Sequence, residues 1–481
     1  MAGQPPLWAG VARVDITDEN AGPVNDRLYA RALVLADQDQ HVILLTVDAV
    51  AIGEIGPVPD HFLPGLRRRL QAELGLDPGR VLVNASHCHG LVCADLEERA
   101  VAAVQAAWKT LVPVRVGAGR GHEDRISENR RLRRRNGREA DVRRAYALPP
   151  DSEVVGVGPI DPEIGLLRLD RQDGRTLAVV FNFACHPIQG VPGGGNTADL
   201  AGFACRLIEE HCGEGAMAFF LQGCAGDVNP VFYKDVARPP DAESLGSLLG
   251  ISALRGLTQI APCPEGRLQL ISQTLALPRA DLSAPIAALE AEQSCLLHSL
   301  RGTSLNLKTF VPLLVKYRLA PEYPSYYSHR YLHDRALGRE DLGTLDAENR
   351  AQLEQYTANI LVMEELTRLQ TNLALLRQHQ ATNLAALMQP LEVELKGLRV
   401  GDFVLLTFPG ELSVEIGLDL KRRSPHPLTF VAAYTNGYIY YTPTAQQLLN
   451  RGWAQEDSDC LVAPAWHALF VDQALALLGK L

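Results

Sequence analysis

The sequence lacks any segment built to cross a membrane or to direct secretion. No window reaches the roughly 18 uninterrupted apolar residues that a spanning helix needs. The first residues do not combine a basic segment with the apolar segment of a secretion signal. We therefore expect a soluble, cytoplasmic protein without a transmembrane segment.

Cysteine pairs and an excess of basic residues are missing as well. The nine cysteines are scattered, and none of them forms a CxxC pair, which is typical of reduced thiols rather than of a disulfide framework. The chain has 46 Lys and Arg against 56 Asp and Glu, so its net charge is −10. Because this balance gives no general attraction to phosphate backbones or anionic lipid, we expect no nucleic acid as a partner.

The composition is that of a packed globular protein. Of the 481 residues, 47% are hydrophobic and 21% are charged, which excludes wholesale disorder. Internal repeats and low-complexity tracts are absent. We expect one domain over residues 1–481.

Short apolar runs rich in β-branched and aromatic residues recur between Gly and Pro. They occupy residues 41–47, 80–84, 177–183, 216–221, 402–408 and 428–434. Continuous apolar character over this length is typical of strands buried on both faces. Helical spacing of apolar residues lies between the runs, at residues 60–74, 97–111 and 199–211. The alternation predicts an α/β fold with a mixed β-sheet core covered by helices.

Residues 282–389 differ from the rest of the chain, because strand-like runs disappear and apolar residues fall at helical steps. We predict a helical hairpin inserted into the α/β body. Its tip, residues 321–334, is rich in tyrosine and includes Tyr327. Two roles stay open: the tip caps a ligand pocket, or the hairpin joins two copies of the chain in a homodimer.

Polar residues that could do chemistry follow several of the predicted strands. His87 and His89 follow the second run, His186 follows the third, and Glu411 follows the fifth. In open α/β sheets, functional crevices lie outside the carboxyl ends of strands. Two imidazoles from different strands and one carboxylate form the ligand set of a catalytic zinc.

Each of these residues also has an ordinary structural interpretation. A single histidine at the end of a strand is more often a residue with ordinary hydrogen bonds than a metal ligand. A carboxylate after Pro-Gly is often a turn residue. Asp48, at the end of the first run, either orients a ligand histidine or belongs to a turn. The basic run at residues 130–138 predicts a solvated loop in which only Arg130 faces inward.

Eight motifs together resemble the neutral/alkaline non-lysosomal ceramidase family. They occur in the family's order and span the length of its catalytic domain. The motifs lie at residues 10–17 (GVARVDIT), 30–35 (ARALVL), 84–90 (NASHCHG), 128–131 (ENRR), 183–187 (FACHP), 221–230 (LQGCAGDVNP), 409–411 (PGE) and 435–444 (TNGYIYYTPT).

The resemblance implies a site for one Zn²⁺ and a set of residues around it. The implied zinc ligands are His87, His186, Glu411 and Tyr441. The candidate catalytic residues are His89, Arg130, Asn229 and again Tyr441. Asp48 and Asp227 are expected to support the ligands, and Tyr438 and Tyr327 to contact the substrate.

Three departures from the family pattern bear on the substrate. Asn229 stands where the family has a serine, so an acyl-enzyme at that position is excluded, since an amide only donates or accepts hydrogen bonds. Gly90 and Leu91 replace the Ser-Gly after the family's His-x-His. The immunoglobulin-like C-terminal domain of long ceramidases is expected to be missing.

These observations predict a zinc-dependent amidohydrolase. The first hypothesis is cleavage of a linear amide bond in a hydrophobic N-acyl lipid resembling ceramide, as a part of sphingolipid metabolism. The second is hydrolysis of a small non-lipid amide or ester on the same scaffold. The third is a non-catalytic binding protein that kept the fold.

Overall fold

The computed structural model describes residues 7–38, 40–143, 148–231, 233, 237, 240–264, 266–322, 324 and 329–481. Its strands are β1 (Leu7–Asp15), β2 (Tyr29–Ala36), β3 (His41–Val47), β4 (Val81–Ala85), β5 (Val112–His122), β6 (Ser127–Asn129), β7 (Arg131–Arg134), β8 (Glu139–Asp141), β9 (Val154–Val157), β10 (Glu163–Arg171), β11 (Thr176–Phe183), β12 (Met217–Gln222), β13 (Val228–Pro230), β14 (Leu268–Leu277), β15 (Leu391–Val400), β16 (Phe403–Thr407), β17 (Glu411–Leu412), β18 (Thr429–Ala432) and β19 (Tyr441–Thr442). Its helices are α1 (Phe62–Leu74), α2 (Leu96–Lys109), α3 (Asp199–Cys212), α4 (Ala242–Leu257), α5 (Ser283–Ser299), α6 (Leu307–Leu319), α7 (Arg330–Ala336), α8 (Asp341–Ala385), α9 (Val414–Arg423), α10 (Gln455–Ser458) and α11 (Trp466–Leu478).

An eight-stranded mixed sheet forms the centre of the fold. Its strand order is β12-β11-β10-β5-β1-β2-β3-β4, and only the outermost pair at each edge is parallel. Helices α1 to α4 cover one face. The predicted α/β class with a mixed sheet and covering helices is confirmed.

The other face of the main sheet packs on a second sheet, which the sequence did not predict. This sheet has the order β14-β15-β16-β18, and α9 and α11 cover its outer side. In β2, Leu33 and Leu35 point toward the second sheet while Val34 points toward the helices. Both faces are therefore apolar, and the sequence pattern alone does not tell a covering sheet from covering helices.

The two edges of the main sheet meet each other. Seven successive strand pairs, each twisted by about 20–25°, rotate one edge by roughly half a turn relative to the other. Gln222 at the end of β12 donates its N–H to Asn84 Oδ1 in β4 at 3.2 Å. The segment after β18 lies in this seam, where Ala433 N bonds Gln222 O and Ala85 N bonds Tyr434 O. The carboxyl ends of β4, β11 and β18 therefore come together.

The described part of residues 282–389 forms a long helical hairpin, as the apolar spacing predicts. Helices α5 and α6 follow one another along α8 and run antiparallel to it. With 45 residues, α8 is about 68 Å long at 1.5 Å per residue. None of the described helices is long and apolar enough to span a membrane.

Candidate metal centre

Three buried side chains converge at the seam between the sheet edges. His87 follows β4, His186 follows β11, and Glu411 opens β17. One ligand atom from each lies within 4.8 Å of the others. His186 Nε2 is 3.2 Å from one carboxylate oxygen of Glu411, and His87 Nε2 is 3.7 Å from the other. In the described part of the chain, this is the group of histidine and carboxylate side chains that could hold a metal ion.

Backbone carbonyl groups orient both imidazoles. His87 Nδ1 lies 2.6 Å from Val50 O, and His186 Nδ1 lies 3.0 Å from Val228 O. Because a carbonyl oxygen only accepts, each Nδ1 carries the proton and each Nε2 keeps its lone pair. The two lone pairs are on the nitrogens nearest Glu411, as metal binding requires.

The charge states of the group suit a cation. Burial lowers the pKa of His87 to about 4, and burial together with Arg130 lowers the pKa of His186. Burial would raise the pKa of Glu411, but the two imidazoles and the Tyr438 hydroxyl outweigh it and hold that pKa well below its usual range. The centre therefore offers two neutral nitrogens and one carboxylate, a donor set that fits Zn²⁺.

Two tyrosine hydroxyls fix the carboxylate of Glu411. Tyr434 donates to Oε2 at 3.1 Å, and Tyr438 donates to Oε1. The Tyr434 ring also lies against His87, with 4.2 Å between ring centroids. Sequence reasoning missed Tyr434, although it directly precedes the TNGY motif. Tyr438, predicted to contact the substrate, is buried and bonded to Glu411, although it also lines the cavity.

Left-handed backbone conformations cluster around the centre. Four residues have φ between 54° and 67°, a range that residues other than glycine rarely adopt: His87, Tyr434, Asn436 and Tyr440. Asn436 is held by accepting the N–H of Val83 at 2.7 Å. Such strain persists only where surrounding contacts impose it, and it is typical of functional sites.

Tyr441 lies beside Glu411 and between two guanidinium groups. Strands β17 and β19 pair in parallel and place these two residues opposite each other. Arg130 and Arg143 each lie 5.5 Å from the centre of the Tyr441 ring. Arg143 also donates to the Tyr441 hydroxyl at 3.3 Å. Arg143 is a residue of the site that the sequence analysis did not identify.

Arg130 is buried, and each of its three guanidinium nitrogens donates a hydrogen bond. It donates to Glu456, to Gly226 O and, at 2.9 Å, to Asn229 Oδ1. Asn229 was predicted as a catalytic residue, but it is buried against Arg130 and does not line the cavity. Its position indicates that it holds Arg130. The prediction that only Arg130 of its basic run faces inward is wrong, because Arg131 is equally buried and is paired with Asp457.

Neither predicted supporting aspartate contacts a ligand ring. Asp48 pairs with Arg31 at 2.8 Å and accepts the N–H of Tyr29, so the prediction that it orients a histidine is wrong. Asp227 accepts the N–H of Val414 at 2.8 Å, three residues after Glu411. It therefore holds the loop of the carboxylate ligand.

A cavity of about 590 Å³ opens onto the centre. The predicted residues that line it are His87, His89, Arg130, His186, Glu411, Tyr438 and Tyr441. The His89 side chain is accessible from the cavity, and the surrounding protein together with His87 lowers its pKa to about 4, so the imidazole is neutral. Tyr327 lies outside the described residues.

The described part of the hairpin tip lies far from the cavity. Pro321 O accepts a hydrogen bond from Arg350, which precedes His379 by 29 residues, or about 44 Å of helix. His379 is the point where α8 reaches the site, with its ring 4.6 Å from that of Tyr440. The expectation that the tip caps the pocket therefore fails for Pro321 and for α7, neither of which lines the cavity.

Solved structures with the same architecture were found by comparison. A neutral ceramidase from Pseudomonas aeruginosa matches with a TM-score of 0.62 and 17% identity, over 99% of this chain and 75% of that chain. The chain has the neutral ceramidase fold. A structure of a ceramidase complexed with C2 matches with a TM-score of 0.61 and 17% identity, over 99% of this chain and 76% of that chain.

The resemblance read from the eight motifs is thus confirmed at the level of the fold. No protein-family model and no curated protein sequence matches the chain. At 17% identity the ceramidase fold does not carry the ceramidase reaction with it.

Proposed function

We propose that this protein is a zinc-dependent hydrolase that cleaves the amide bond of an N-acyl lipid resembling ceramide. The observation that carries the proposal is the buried set of two neutral imidazoles and one ionised carboxylate at the end of an open cavity. The ceramidase fold supports the choice of a linear amide.

His87, His186 and Glu411 would hold the ion, and Tyr441 would be the fourth ligand. A bound zinc supplies Lewis acidity toward a carbonyl and lowers the pKa of a water toward 7. Two nitrogen donors with fixed tautomers and an anchored carboxylate are better suited to zinc than to calcium or magnesium, which prefer oxygen ligands throughout.

The side chains around the cavity supply hydrogen bonds and proton transfer. The Tyr441 hydroxyl accepts from Arg143, which leaves its own proton free to donate to an oxygen that gains negative charge during attack on the amide. His89 is neutral and exposed to the cavity, so it can accept a proton from water and pass it to the leaving amine.

Hydrolysis is expected to proceed without a covalent intermediate. Asn229 replaces the family serine, and its amide oxygen is bonded to Arg130 inside the protein. Probes that label reactive serines should leave the activity unchanged, whereas a chelator should abolish it. Stoichiometric labelling of one serine with loss of activity would contradict this mechanism.

A small non-lipid amide or ester is the second candidate substrate. The observation that favours it is the cavity, which holds about 590 Å³ and whose lining includes three histidines and two arginines. Such a volume is in the range of ordinary small-molecule sites. An acyl chain inside the cavity would contact the lining side chains of Ile55 and Ile188.

The deciding experiment measures zinc content and kcat/KM over a series of N-acyl amides of increasing acyl length. A rise of kcat/KM with acyl length supports the lipid substrate. A maximum at the shortest acyl group favours the small amide. Zinc-loaded protein without turnover of any member would mean a binding protein and would overturn the proposal.

A further inference from the structure

Exposed apolar side chains are concentrated on the helical hairpin. Of the large apolar side chains that are exposed in the described part of the chain, fourteen of twenty-two lie between Leu297 and Leu387. The hairpin accounts for less than a quarter of the 481 residues. Because soluble surfaces seldom concentrate apolar side chains in this way, the hairpin is a candidate interaction surface.

Helix α6 carries the densest part of this surface. Its inner face packs on α8 through Phe310, which stacks on Tyr356, and Tyr317, which bonds Asp346. Its outer face is an apolar stripe at helical spacing, with side chains 41% to 80% exposed: Leu307, Val311, Leu314, Val315 and Leu319. We call these five residues the α6 stripe.

The sequence segment that contains the stripe has a charge opposite to that of the whole chain. Residues 301–339 contain two acidic side chains, Glu322 and Asp334, and seven basic ones. The basic residues are Arg301, Lys308, Lys316, Arg318, Arg330, Arg335 and Arg339. The segment thus has a charge of +5 in a chain of −10, and all its basic residues except the half-buried Lys316 are exposed.

We propose that α6 binds the surface of a lipid bilayer that carries anionic headgroups. A helix with one apolar face and flanking Lys and Arg lies in the plane of such an interface. At 13 residues α6 is about 20 Å long, which suits lying on a membrane and is too short to cross one. Lys308 and Arg318 extend from the same helix toward the headgroups.

A second copy of the chain fits the stripe less well. Helix α6 has no acidic residue, so pairing one stripe with another would bring like charges together. Exposed carboxylates of the hairpin, such as Glu322, Glu348 and Glu354, lie outside α6. A bilayer with anionic headgroups matches both features of α6. Its acyl region would bury the apolar stripe, and its headgroups would attract the basic side chains.

The stripe is separate from the candidate metal centre. Tyr356, which packs on Phe310, precedes His379 by 23 residues, or about 35 Å of helix. Membrane binding therefore does not depend on the proposed hydrolysis, and it can be measured without substrate. Failure of one proposal leaves the other intact.

The test is co-sedimentation of the purified full chain with vesicles of phosphatidylcholine, with or without phosphatidylglycerol. We expect binding to the mixed vesicles that weakens as salt is raised. The double variant Leu314→Glu and Leu319→Glu should lower the partition coefficient at least about tenfold. Lys308→Gln and Arg318→Gln should each lower it roughly fivefold.

The matched control is Val155→Glu, which places the same charge at a 58% exposed apolar position on β9. It should bind vesicles like the unmodified chain. Circular dichroism and thermal unfolding establish that each variant is folded. Equal binding to both vesicle types would overturn the assignment to anionic lipid. A dimer that the stripe variants convert to monomer in light scattering, without vesicle binding, would assign the stripe to a second copy instead.

Discussion

Each histidine of the candidate metal centre depends on one backbone carbonyl for its tautomer. Val50 O and Val228 O accept from the Nδ1 protons, a role often filled by a carboxylate. Asp48 looked suited to this role in the sequence, but it neutralises the buried Arg31. A carbonyl acceptor leaves no mark in the sequence, since every residue has one. This is why the convergence of His87, His186 and Glu411 could be predicted from the sequence and the groups that orient them could not.

Replacing His87 or His186 with Ala should remove the metal. About one zinc per chain is expected in the unmodified protein, and each variant should lose most of it, because only one of the two nitrogen donors then remains in the ligand set. Metal analysis measures the content directly. Thermal unfolding provides a second readout: a chelator should lower the Tm of the unmodified chain and leave unchanged the Tm of the double variant that combines His87→Ala with His186→Ala.

His89→Ala is the matched control, since it removes an imidazole from the same cavity and not from the ligand group. It should keep its zinc while losing activity. Full zinc occupancy in the double variant would disprove the ligand assignment.

Tyr434→Phe should weaken metal binding without removing the centre. The ring that packs on His87 stays, while the hydroxyl that donates to Glu411 at 3.1 Å is lost. Loss of a hydrogen bond that orients a ligand typically costs 10–100-fold in metal affinity. Competition with a zinc chelator measures the change. Tyr440→Phe, which removes a hydroxyl from the same loop, should keep its affinity. Equal affinities in the two variants would mean that Tyr434 does not orient the carboxylate.

At the scale of elements, the helical hairpin joins the body through the base of α8. There, Leu369, Leu373 and Leu376 of α8 pack against Leu282 and Leu289. Beyond this base, the buried contacts of α8 thin out and its surface is largely exposed. The sequence predicted the hairpin well because a period of 3.6 over many turns is a strong signal. It did not predict the direction of the tip, because periodicity carries no information on where an element points.

Leu373→Ala tests whether the hairpin base is part of the cooperative fold. Leu373 is 1% exposed, so the truncation should cost about 2–5 kcal/mol if base and body unfold together. Urea unfolding gives the free energy. Leu361→Ala on the same helix, where the side chain is 58% exposed, should change stability by less than about 0.5 kcal/mol. An unchanged main transition in Leu373→Ala would show that the hairpin unfolds separately.

At the scale of the whole molecule, the candidate centre exists because the sheet closes on itself. The strand runs and the polar residues after them could be found in the sequence. The meeting of β4 with β12 could not, because it results from accumulated twist rather than from any local pattern. The second sheet escaped prediction for a similar reason, since its strands have the same apolar character as those of the main sheet.

Asn84 is the residue on which this closure can be tested. Its amide donates to Ala433 O at 2.7 Å and to Thr435 Oγ1 at 2.9 Å, and it accepts from Gln222 N. Asn84→Leu leaves buried hydrogen-bond partners unsatisfied and should lower the free energy of unfolding by on the order of 3–6 kcal/mol. Zinc affinity should fall as well, because His87 follows three residues later. Thr435→Val, which removes one of these hydrogen-bond partners, should lower the free energy of unfolding by about 1 kcal/mol. Similar losses in both variants would contradict a special role of Asn84.

The candidate ligands lie far apart along the chain, and this determines how late in translation the metal centre can form. Because His87, His186 and Glu411 are separated by 99 and 225 residues, a ribosome has to make more than four fifths of the protein before all three exist. The seam also needs Tyr434 and Thr435, which are made later still. A nascent chain therefore carries two imidazoles of the centre without their carboxylate while 225 of its 481 residues are made, which is almost half of translation. Zinc capture belongs to the end of synthesis, and a ribosome stalled before residue 411 should hold a chain that binds zinc weakly.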